Sequence, residues 1–371
     1  MLRFDRRLLQ NFDWPLIITL LMVIIMGLAN LYSATFQNQD SGTSAFIKQI
    51  VFYIIGAGMG VMIISVDYRQ LLSWNYPLYG LTLIVLLFAL ILGTTVGGSQ
   101  RWINLGFFRL QPSEPAKLIL IISLASYYYR KDNGHGFSLL DLVIPMLLTI
   151  APAILIGLQP DLGTALMLVF IFVSMTLFVR LKKKTLITLI CTGISMIPLG
   201  WNFVLKPYQK LRILTLFNPE LDPRGAGYHI TQSKIAVGSG LKFGKGFLKG
   251  TQGHLDFLPE RHTDFAFSVW AEEWGFFGSL FFLCCYLFLL LLCLNAALSS
   301  RDKFGFLLGV GIVSLIFWQA FINLAMIMGL MPVVGMPLPL FSYGGSSLFT
   351  TIFGIAILIS IRMRRFASSS I

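Results

Sequence analysis

The stretch from His254 to Gly275, HLDFLPERHTDFAFSVWAEEWG, sets titratable side chains directly before an apolar segment. These side chains are Asp256, Glu260, Arg261, His262 and Asp264. Only 12% of the residues in the chain are charged, so the density of charge here is unusual. The apolar segment begins near Phe265 and is long enough to cross a bilayer as a helix. Titratable groups at the mouth of a membrane span stand where chemistry at a water–lipid boundary can occur.

Composition indicates that this span is one of many. The chain is 56% hydrophobic, its mean hydropathy is +0.78, and apolar runs of about 20 residues recur along it. These runs predict about ten spans, at 14–34, 46–65, 73–94, 113–129, 138–157, 162–179, 184–205, 266–296, 303–329 and 343–363. We therefore predict an all-α polytopic membrane protein, with residues 1–371 as a single integral membrane domain. One long extracytoplasmic loop, about residues 206–264, separates spans 7 and 8.

The basic residues predict the orientation of the spans. The net charge is +12, and clusters of Lys and Arg fall at every second turn, as in cytoplasmic loops. The clusters are Arg3/Arg6/Arg7, Arg69, Arg130/Lys131, Arg180/Lys182/Lys183/Lys184, Arg301/Lys303 and Arg362/Arg364/Arg365. With an even number of spans, both termini are expected in the cytoplasm. Nucleic-acid binding is not expected, because no basic patch interleaves with stacking aromatic side chains.

The acidic residues are distributed differently, near the outer ends of spans. They are Glu114, Asp161, Glu260, Asp264, Glu272 and Glu273. A carboxylate beside a membrane span is costly, so it usually has a partner or a task. Glu114 and Asp161 also suit helix starts, where a negative charge complements the helix dipole. Several carboxylates on one side of the membrane favour a shared outer site.

Two outer loops add candidate residues. In residues 95–112, TVGGSQRWINLGFFRLQP, we expect Trp102 to lie in the membrane interface with Arg101 facing the headgroups. In LQPSEPAK, residues 110–117, Lys117 follows Glu114 by three residues, and the two are expected to pair at the membrane boundary. A helix-start signature alone does not explain a lysine so far into a span.

Two further turns reach the same side. Asp161, in QPDLGTAL (159–166), either caps the next helix or reaches the outer cavity. MPVVGMPLPLFSYGGSS (331–347) contains three prolines and paired glycines, which predict a rigid turn. That turn would place Ser342 and Tyr343 at the mouth of the last span.

The long outer segment is rich in basic residues, Arg212 and Arg261 among them, which would attract anionic headgroups or a lipid diphosphate. Within it, GSGLKFGKGFLKGTQG (238–253) alternates glycine with lysine, so its backbone could approach a phosphate closely. The alternative is a flexible re-entrant or surface loop. The segment is not a P-loop, because it lacks the G-x-x-x-x-G-K-[ST] pattern.

The opening stretch contains three candidate bases. Pro259 suits a first helical position, which predicts a helix from about residue 259 with Glu260 and Asp264 on one face. Partial loss of hydration at the lipid edge raises the pKa of a carboxylate, and a neighbouring arginine offsets that change. His262 is the third candidate, since an unperturbed imidazole has a pKa of about 6.5. Residue type and spacing do not choose among the three.

Eight motifs together resemble the SEDS family (shape, elongation, division and sporulation), and most closely its RodA branch. The resemblance extends from about residue 14 to residue 365, with the motifs in the family's order and spacing. They are QRWINLG (100–106), LQPSEPAK (110–117), QPDLGTAL (159–166), YHITQSKIAVGSG (228–240), GKGFLKGTQ (244–252), FLPERHTDFAF (257–267), AEEWG (271–275) and FSYGGSS (341–347).

The resemblance implies a glycosyltransferase that polymerises lipid II, an undecaprenyl-diphosphate-linked disaccharide–pentapeptide. Its β-1,4 glycan strands would be made at the outer face of the bacterial plasma membrane, for cell elongation and rod-shape maintenance. The aspartate of the HTDF motif is catalytic in the family, and here it is Asp264, the expected general base. No cofactor or metal ligand is assigned, although a divalent cation could assist the diphosphate.

The implied substrate-binding set surrounds this aspartate. The cationic members Arg101, Lys117, Arg212 and Arg261 would stabilise the departing diphosphate. Glu114, Asp161 and Glu260 would support or orient them. The full set is Arg101, Trp102, Glu114, Lys117, Asp161, Arg212, Glu260, Arg261, His262, Ser342 and Tyr343.

The family also implies a partner, a class B penicillin-binding protein with transpeptidase activity, within the elongation machinery. Its contacts are expected on spans 8 and 9, whose Phe and Leu residues could equally contact lipid. Two rival functions fit the composition, a lipid II flippase and a non-catalytic scaffold for the transpeptidase. A flippase should line a path through both leaflets, but midplane polar residues such as Gln319 and Asn323 are few.

Overall fold

The computed structural model describes residues 12–36, 39–96, 99–104, 106, 109–132, 134–223, 225–251 and 260–366, and structural statements refer to these. Ten helices coincide with the predicted spans. They are α1 Trp14–Thr35, α2 Gln39–Ser65, α3 Leu71–Leu92, α4 Ser113–Lys131, α5 Leu139–Leu158, α6 Leu162–Leu177, α7 Lys183–Leu199, α10 Ala266–Leu298, α11 Lys303–Ile327 and α12 Gly345–Met363. Two shorter helices, α8 Pro207–Phe217 and α9 Ala226–Ser239, lie between α7 and α10. The predicted all-helical, polytopic fold class is confirmed.

Eight of the described helices are long and apolar enough to cross a membrane. Two helices at predicted spans fall outside that set for different reasons. The apolar helix α6 has only 16 residues, and α4 carries four charged residues, Glu114, Lys117, Arg130 and Lys131. Much of α4 is nevertheless buried between other helices, so neighbouring protein rather than lipid surrounds its first turns.

Local sequence explains where the helices begin. Asp13 caps α1, since its carboxylate accepts a hydrogen bond from the Leu16 amide, and Pro15 lies in the first turn. Ser138 and Asp141 form a capping box at the start of α5. Helices α11 and α12 are buried over most of their length, whereas α7 exposes nearly all of its side chains at the edge of the bundle.

A small antiparallel sheet lies between α3 and α4. Its strands are β1 Thr94–Val96, β2 Ser99–Asn104 and β3 Arg109–Leu110, in the order β1-β2-β3. Trp102 pairs with Thr94, and Ile103 pairs with Leu110. The sequence predicted only an interfacial loop here. Strand pairing satisfies backbone groups that a loop at a lipid boundary would leave without partners.

Alternation of the spans brings the sheet, residues 200–223, 225–251 and 260–265, and the 328–344 loop to one end of the bundle, the loop-rich end. The basic clusters within the described residues lie at the opposite end. There Arg362 Nε lies 2.8 Å from Asp13 Oδ2, and Arg69 Nε lies 3.2 Å from Asp302 Oδ2. This separation matches the alternation of charged loops along the sequence.

Helix α10 breaks near the loop-rich end. Gly275 has φ +64° and ψ −160°, a conformation that glycine adopts without steric cost. The glycine–lysine segment (residues 240–251) takes up the backbone groups that this break releases. The Phe276 and Phe277 amides donate to the carbonyls of residues 241 and 242, at 2.8 and 3.1 Å. The segment is therefore hydrogen-bonded to α10 at the break.

Candidate active site

Asp264 lies in a turn at the loop-rich end, directly before α10. The amides of Thr263 and Phe265 donate to the Glu260 carbonyl, at 3.1 and 3.3 Å. Glu260 itself has φ +53°, and α10 begins only at Ala266. The prediction of a helix from residue 259 is therefore wrong for the residues described, because a residue with positive φ interrupts it. Pro259 lies outside the described residues.

A buried amide holds this turn in place. Asn323 Nδ2, on α11, donates to the Asp264 carbonyl at 2.7 Å and to the Met336 carbonyl at 2.6 Å. The Tyr343 amide donates to the His262 carbonyl at 2.9 Å. The 328–344 loop and α11 thus fix the backbone around the candidate base.

The 328–344 loop also approaches the carboxylate itself. A Cβ added to Gly335, which has φ +72°, would lie 3.3 Å from Asp264 Oδ2. Glycine leaves the space above the carboxylate open and accepts the left-handed backbone. The proline- and glycine-rich loop that the sequence placed at the mouth of the last span therefore forms one wall of the site.

Charges around Asp264 act in opposite directions. Burial of the carboxyl and, to a smaller extent, the nearby Glu260 carboxylate raise the pKa of Asp264, and the net value is about 7. Arg101 and Arg212 lower it. The carboxyl is thus poised to exchange a proton near neutral pH, which suits a general base.

The two arginines come from different elements. Arg212, on α8, donates from Nη1 to the Val333 carbonyl at 3.1 Å. Arg101, on β2, places Nη1 3.2 Å from Asp161 Oδ2. The small sheet and α8 thus bring two cations to the aspartate from segments that are far apart in the sequence.

Asp161 has the capping role, which is one of the two alternatives that the sequence left open. Its carboxylate caps α6 by accepting from the Thr164 amide at 3.1 Å and from the Thr164 hydroxyl at 3.0 Å. It also accepts from Gln111 Nε2 at 3.2 Å and pairs with Arg101. The start of α6 is therefore tied to the strand that supplies an arginine to the site.

Glu114 and Lys117 form the predicted i, i+3 pair. Lys117 Nζ lies 2.8 Å from Glu114 Oε1, and both side chains are almost fully buried in the first turns of α4. The second carboxylate oxygen, Glu114 Oε2, has no hydrogen-bond partner among the described residues. The pair neutralises two charges that the bundle would otherwise bury singly.

The remaining predicted residues differ in their contacts. Burial lowers the pKa of His262, whose ring centroid lies 5.9 Å from that of Tyr343. Arg261 is buried, and Trp102 is half-buried on β2. Ser342 is buried, and its Oγ accepts a hydrogen bond from the Leu338 amide at 3.0 Å. This hydrogen bond helps to shape the 328–344 loop.

Several glycines of the glycine–lysine segment pack closely against α10. A Cβ on Gly244 would lie 2.0 Å from the Glu273 carbonyl oxygen. Lys245 Nζ lies 2.6 Å from Glu272 Oε1, and the Glu273 carboxylate accepts a hydrogen bond from Ser33. The glycines therefore permit close packing on α10. The two carboxylates, predicted to join the outer site, anchor this segment instead.

Some residues near the site escaped the sequence analysis. Asn323 is one, since the sequence marked it only as a midplane polar residue, and hydrogen bonds to distant carbonyls leave no sequence signal. His229, on α9, is another, because its ring stacks on Phe265 at a centroid distance of 5.7 Å. The motif YHITQSK contained this histidine without indicating a role for it. Among the described residues, no group of three or more His, Cys, Asp or Glu could hold a metal ion.

Comparison with known proteins places this site in a family. The sequence profile of the FtsW/RodA/SpoVE family, described as "Cell cycle protein", matches residues 13–366. Peptidoglycan glycosyltransferase MrdB of Escherichia coli K12 is 36% identical over 355 residues, covering 96% of this chain and 94% of that protein.

Two solved structures share the fold. The first, described as "Structural coordination of polymerization and crosslinking by a peptidoglycan synthase complex", contains a chain with a TM-score of 0.82 and 31% identity, covering 96% of this chain and 99% of that one. The second, Rod shape determining protein RodA of Thermus thermophilus, has a TM-score of 0.70 and 28% identity, covering 96% and 98%. The RodA-type resemblance seen in the motifs is confirmed, and the chain belongs to the FtsW/RodA/SpoVE family.

Proposed function

We propose that this chain is a peptidoglycan glycosyltransferase that polymerises lipid II into β-1,4-linked glycan strands during cell elongation. Its similarity to a glycosyltransferase of that name over 96% of the chain supports the activity. The observation that carries the proposal is the carboxyl of Asp264, with a pKa of about 7 and two arginines in electrostatic range. A base and cations in one place are what transfer from a diphosphate-linked sugar requires.

Asp264 acts as the general base in this proposal. A carboxylate oxygen of Asp264 takes the proton of the acceptor sugar's 4-hydroxyl. At the same time the hydroxyl oxygen attacks the donor's anomeric carbon. The bond from the anomeric carbon to the diphosphate breaks, and the diphosphate leaves with the electron pair. Attack from the opposite face inverts the anomeric centre. A positioned base contributes typically about 10²–10⁴-fold to such a step.

Arg101 and Arg212 stabilise the departing diphosphate, since negative charge develops on its oxygens during bond breaking. Asp161 orients Arg101 through their 3.2 Å ion pair. The other predicted residues are assigned to substrate binding around this centre. These are Trp102, Glu114, Lys117, Glu260, Arg261, His262, Ser342 and Tyr343.

The test is glycan polymerisation by the purified chain with its transpeptidase partner and lipid II. We expect Asp264→Asn to lower the rate by at least about 100-fold, because the amide cannot accept the hydroxyl proton. Glu220→Gln is the matched control, since Glu220 is an exposed carboxylate on the segment between α8 and α9. Its rate should equal that of the wild type.

Three results would contradict the proposal. Polymerisation by Asp264→Asn at the wild-type rate would remove Asp264 as the base. Translocation of lipid II across liposomes by the wild type, with no polymer formed under any condition, would favour the flippase. Polymer made only by the partner would favour the scaffold.

We also propose a class B penicillin-binding protein as the partner, bound through α10 and α11. A structural neighbour comes from a peptidoglycan synthase complex that coordinates polymerization and crosslinking. Helix α10 exposes a face of large apolar side chains that suits a transmembrane helix. These are Phe276, Phe277, Leu280, Phe281, Leu287, Phe288 and Leu291.

The proposed location follows from charge. The chain is a single domain in the bacterial plasma membrane, with the loop-rich end outside and the basic end in the cytoplasm. Both termini then lie in the cytoplasm, and residues 206–264 are extracytoplasmic. Lipid II would be used at the outer face.

A further inference from the structure

His229 lies beside the candidate base without a part in the proposed reaction. It occupies the first turn of α9, and its ring stacks on Phe265 with centroids 5.7 Å apart and planes 13° apart. Phe265 directly follows Asp264 in the turn before α10. The imidazole is therefore held at a defined angle next to the site.

The two ring nitrogens of His229 have different surroundings. Nδ1 is enclosed and has no hydrogen-bond partner among the described residues, whereas Nε2 is not enclosed. A buried N–H without a partner costs more than a buried lone pair in native structures. The proton of the neutral ring therefore belongs on Nε2, which leaves Nδ1 bare.

Burial keeps His229 neutral against the pull of two nearby carboxylates. Burial lowers the pKa of His229, and Arg212 on α8 lowers it further, while Glu260 and Asp222 raise it. Asp222 accepts from the Ala226 amide at 2.9 Å and so caps α9. The ring also lies at the positive end of the α9 dipole, which disfavours an imidazolium. The net result is a neutral hydrogen-bond donor at the site.

We propose that His229 contacts the substrate, with Nε2–H donating a hydrogen bond to an oxygen of the lipid diphosphate. This inference rests on the proposed function, which supplies the diphosphate. A diphosphate has more acceptor oxygens than Arg101 and Arg212 can occupy. A fixed neutral donor can bind one of the remaining oxygens and add to the electrostatic stabilisation that the arginines provide. His229 cannot serve as a second base, because its exposed nitrogen already carries the proton.

The test measures binding of undecaprenyl diphosphate to the full chain in detergent, by calorimetry. This probe carries no sugar, so it isolates the diphosphate contact. His229→Phe keeps a ring to stack on Phe265 but removes the donor, and His229→Gln keeps an N–H near the position of Nε2. We expect His229→Phe to weaken binding roughly ten- to a hundredfold, as for loss of a hydrogen bond to a charged group, and His229→Gln to restore most of it.

A second measurement uses the wild type alone and covers failure of His229→Phe to fold. With ¹⁵N-labelled histidine, the His229 signals, assigned through His229→Gln, should show a proton on Nε2 only. Addition of undecaprenyl diphosphate should then shift the Nε2 resonance. A proton on Nδ1, or an Nε2 resonance unmoved at saturation, would overturn the proposal.

The outcomes separate this contact from the proposed function. Wild-type affinity in a folded His229→Phe variant, with normal polymerisation by the wild type, overturns the contact alone. A wild type that binds the probe through His229 but never makes glycan overturns the proposed function and leaves the contact standing. Weaker use of lipid II by His229→Phe with unchanged binding of the sugar-free probe also counts against the diphosphate contact.

Discussion

Neighbouring charges of both signs change the pKa of Asp264, so single substitutions of those neighbours should move that pKa in opposite directions. Activity should rise with pH through about 7, as the base loses its proton. Glu260→Gln removes a negative neighbour, which lowers the pKa of Asp264 and moves the rise to lower pH. Arg212→Gln removes a positive neighbour and moves the rise to higher pH. The measurement is kcat/KM for lipid II against pH.

Glu220→Gln again serves as the matched control, and its profile should coincide with that of the wild type. Identical midpoints in the wild type, Glu260→Gln and Arg212→Gln would mean that another group titrates. The sequence left Glu260, His262 and Asp264 open as bases. The depth of burial sets the pKa of each candidate base. That burial depends on distant segments, which sequence spacing does not reveal.

The Glu114–Lys117 pair gives a second prediction at this scale. Lys117→Met should destabilise the protein by about 3–5 kcal/mol, because the buried Glu114 carboxylate loses its partner. Combining it with Glu114→Gln should recover most of that loss. The measurement is the thermal unfolding midpoint in detergent, paired with polymerisation.

The double variant also separates a structural role from a role in the reaction. Recovered stability without recovered polymerisation would show that the pair has a role in substrate binding. Recovery of both would make it purely structural, and no loss in Lys117→Met would contradict burial of the pair. Sequence alone predicted this pair, since a spacing of three on a helix defines the contact.

The glycine–lysine segment carries the prediction at the scale of elements. Gly244 has φ +79°, and a Cβ there would lie 2.0 Å from the Glu273 carbonyl oxygen. Gly244→Ala should therefore cost at least about 1–2 kcal/mol for the left-handed backbone, plus a shift of the segment. Because the segment is bonded to α10, polymerisation should fall with the unfolding midpoint.

Gly238→Ala is the control, since in the part of the chain that the structure describes nothing lies within 4 Å of a Cβ added there in α9. It should leave stability unchanged or raise it by about 0.5–1 kcal/mol. If Gly244→Ala behaves as Gly238→Ala does, close packing of the segment on α10 is not needed for stability or for polymerisation. A phosphate-binding role for these glycines would then regain support.

Long elements were predictable, and short ones were not. Ten apolar runs marked ten helices, because about 20 apolar residues are needed to cross a bilayer. The strands over 94–110 are two to six residues long and leave too little periodicity to detect. Pro259 suggested a helix start, but a positive φ at Glu260 delays α10 to Ala266.

At the scale of the whole molecule, the site is assembled from segments far apart in the chain. Arg101, Arg212 and Asp264 come from β2, α8 and the turn before α10, and the 328–344 loop contacts Arg212 and approaches Asp264. Alternation of spans explains why these segments share one end. It does not explain which side chains meet, since side-chain packing at the loop-rich end sets those contacts.

Orientation of the bundle is the last prediction. In a chain without its four cysteines, Glu220→Cys at the loop-rich end should react with a membrane-impermeant maleimide in intact cells. Lys183→Cys, at the start of α7, should react only after permeabilisation, because basic ends stay in the cytoplasm. Both positions are exposed, so the difference reports sidedness rather than burial. The reverse labelling pattern would put Asp264 on the cytoplasmic face, where glycan made outside the cell could not be its product.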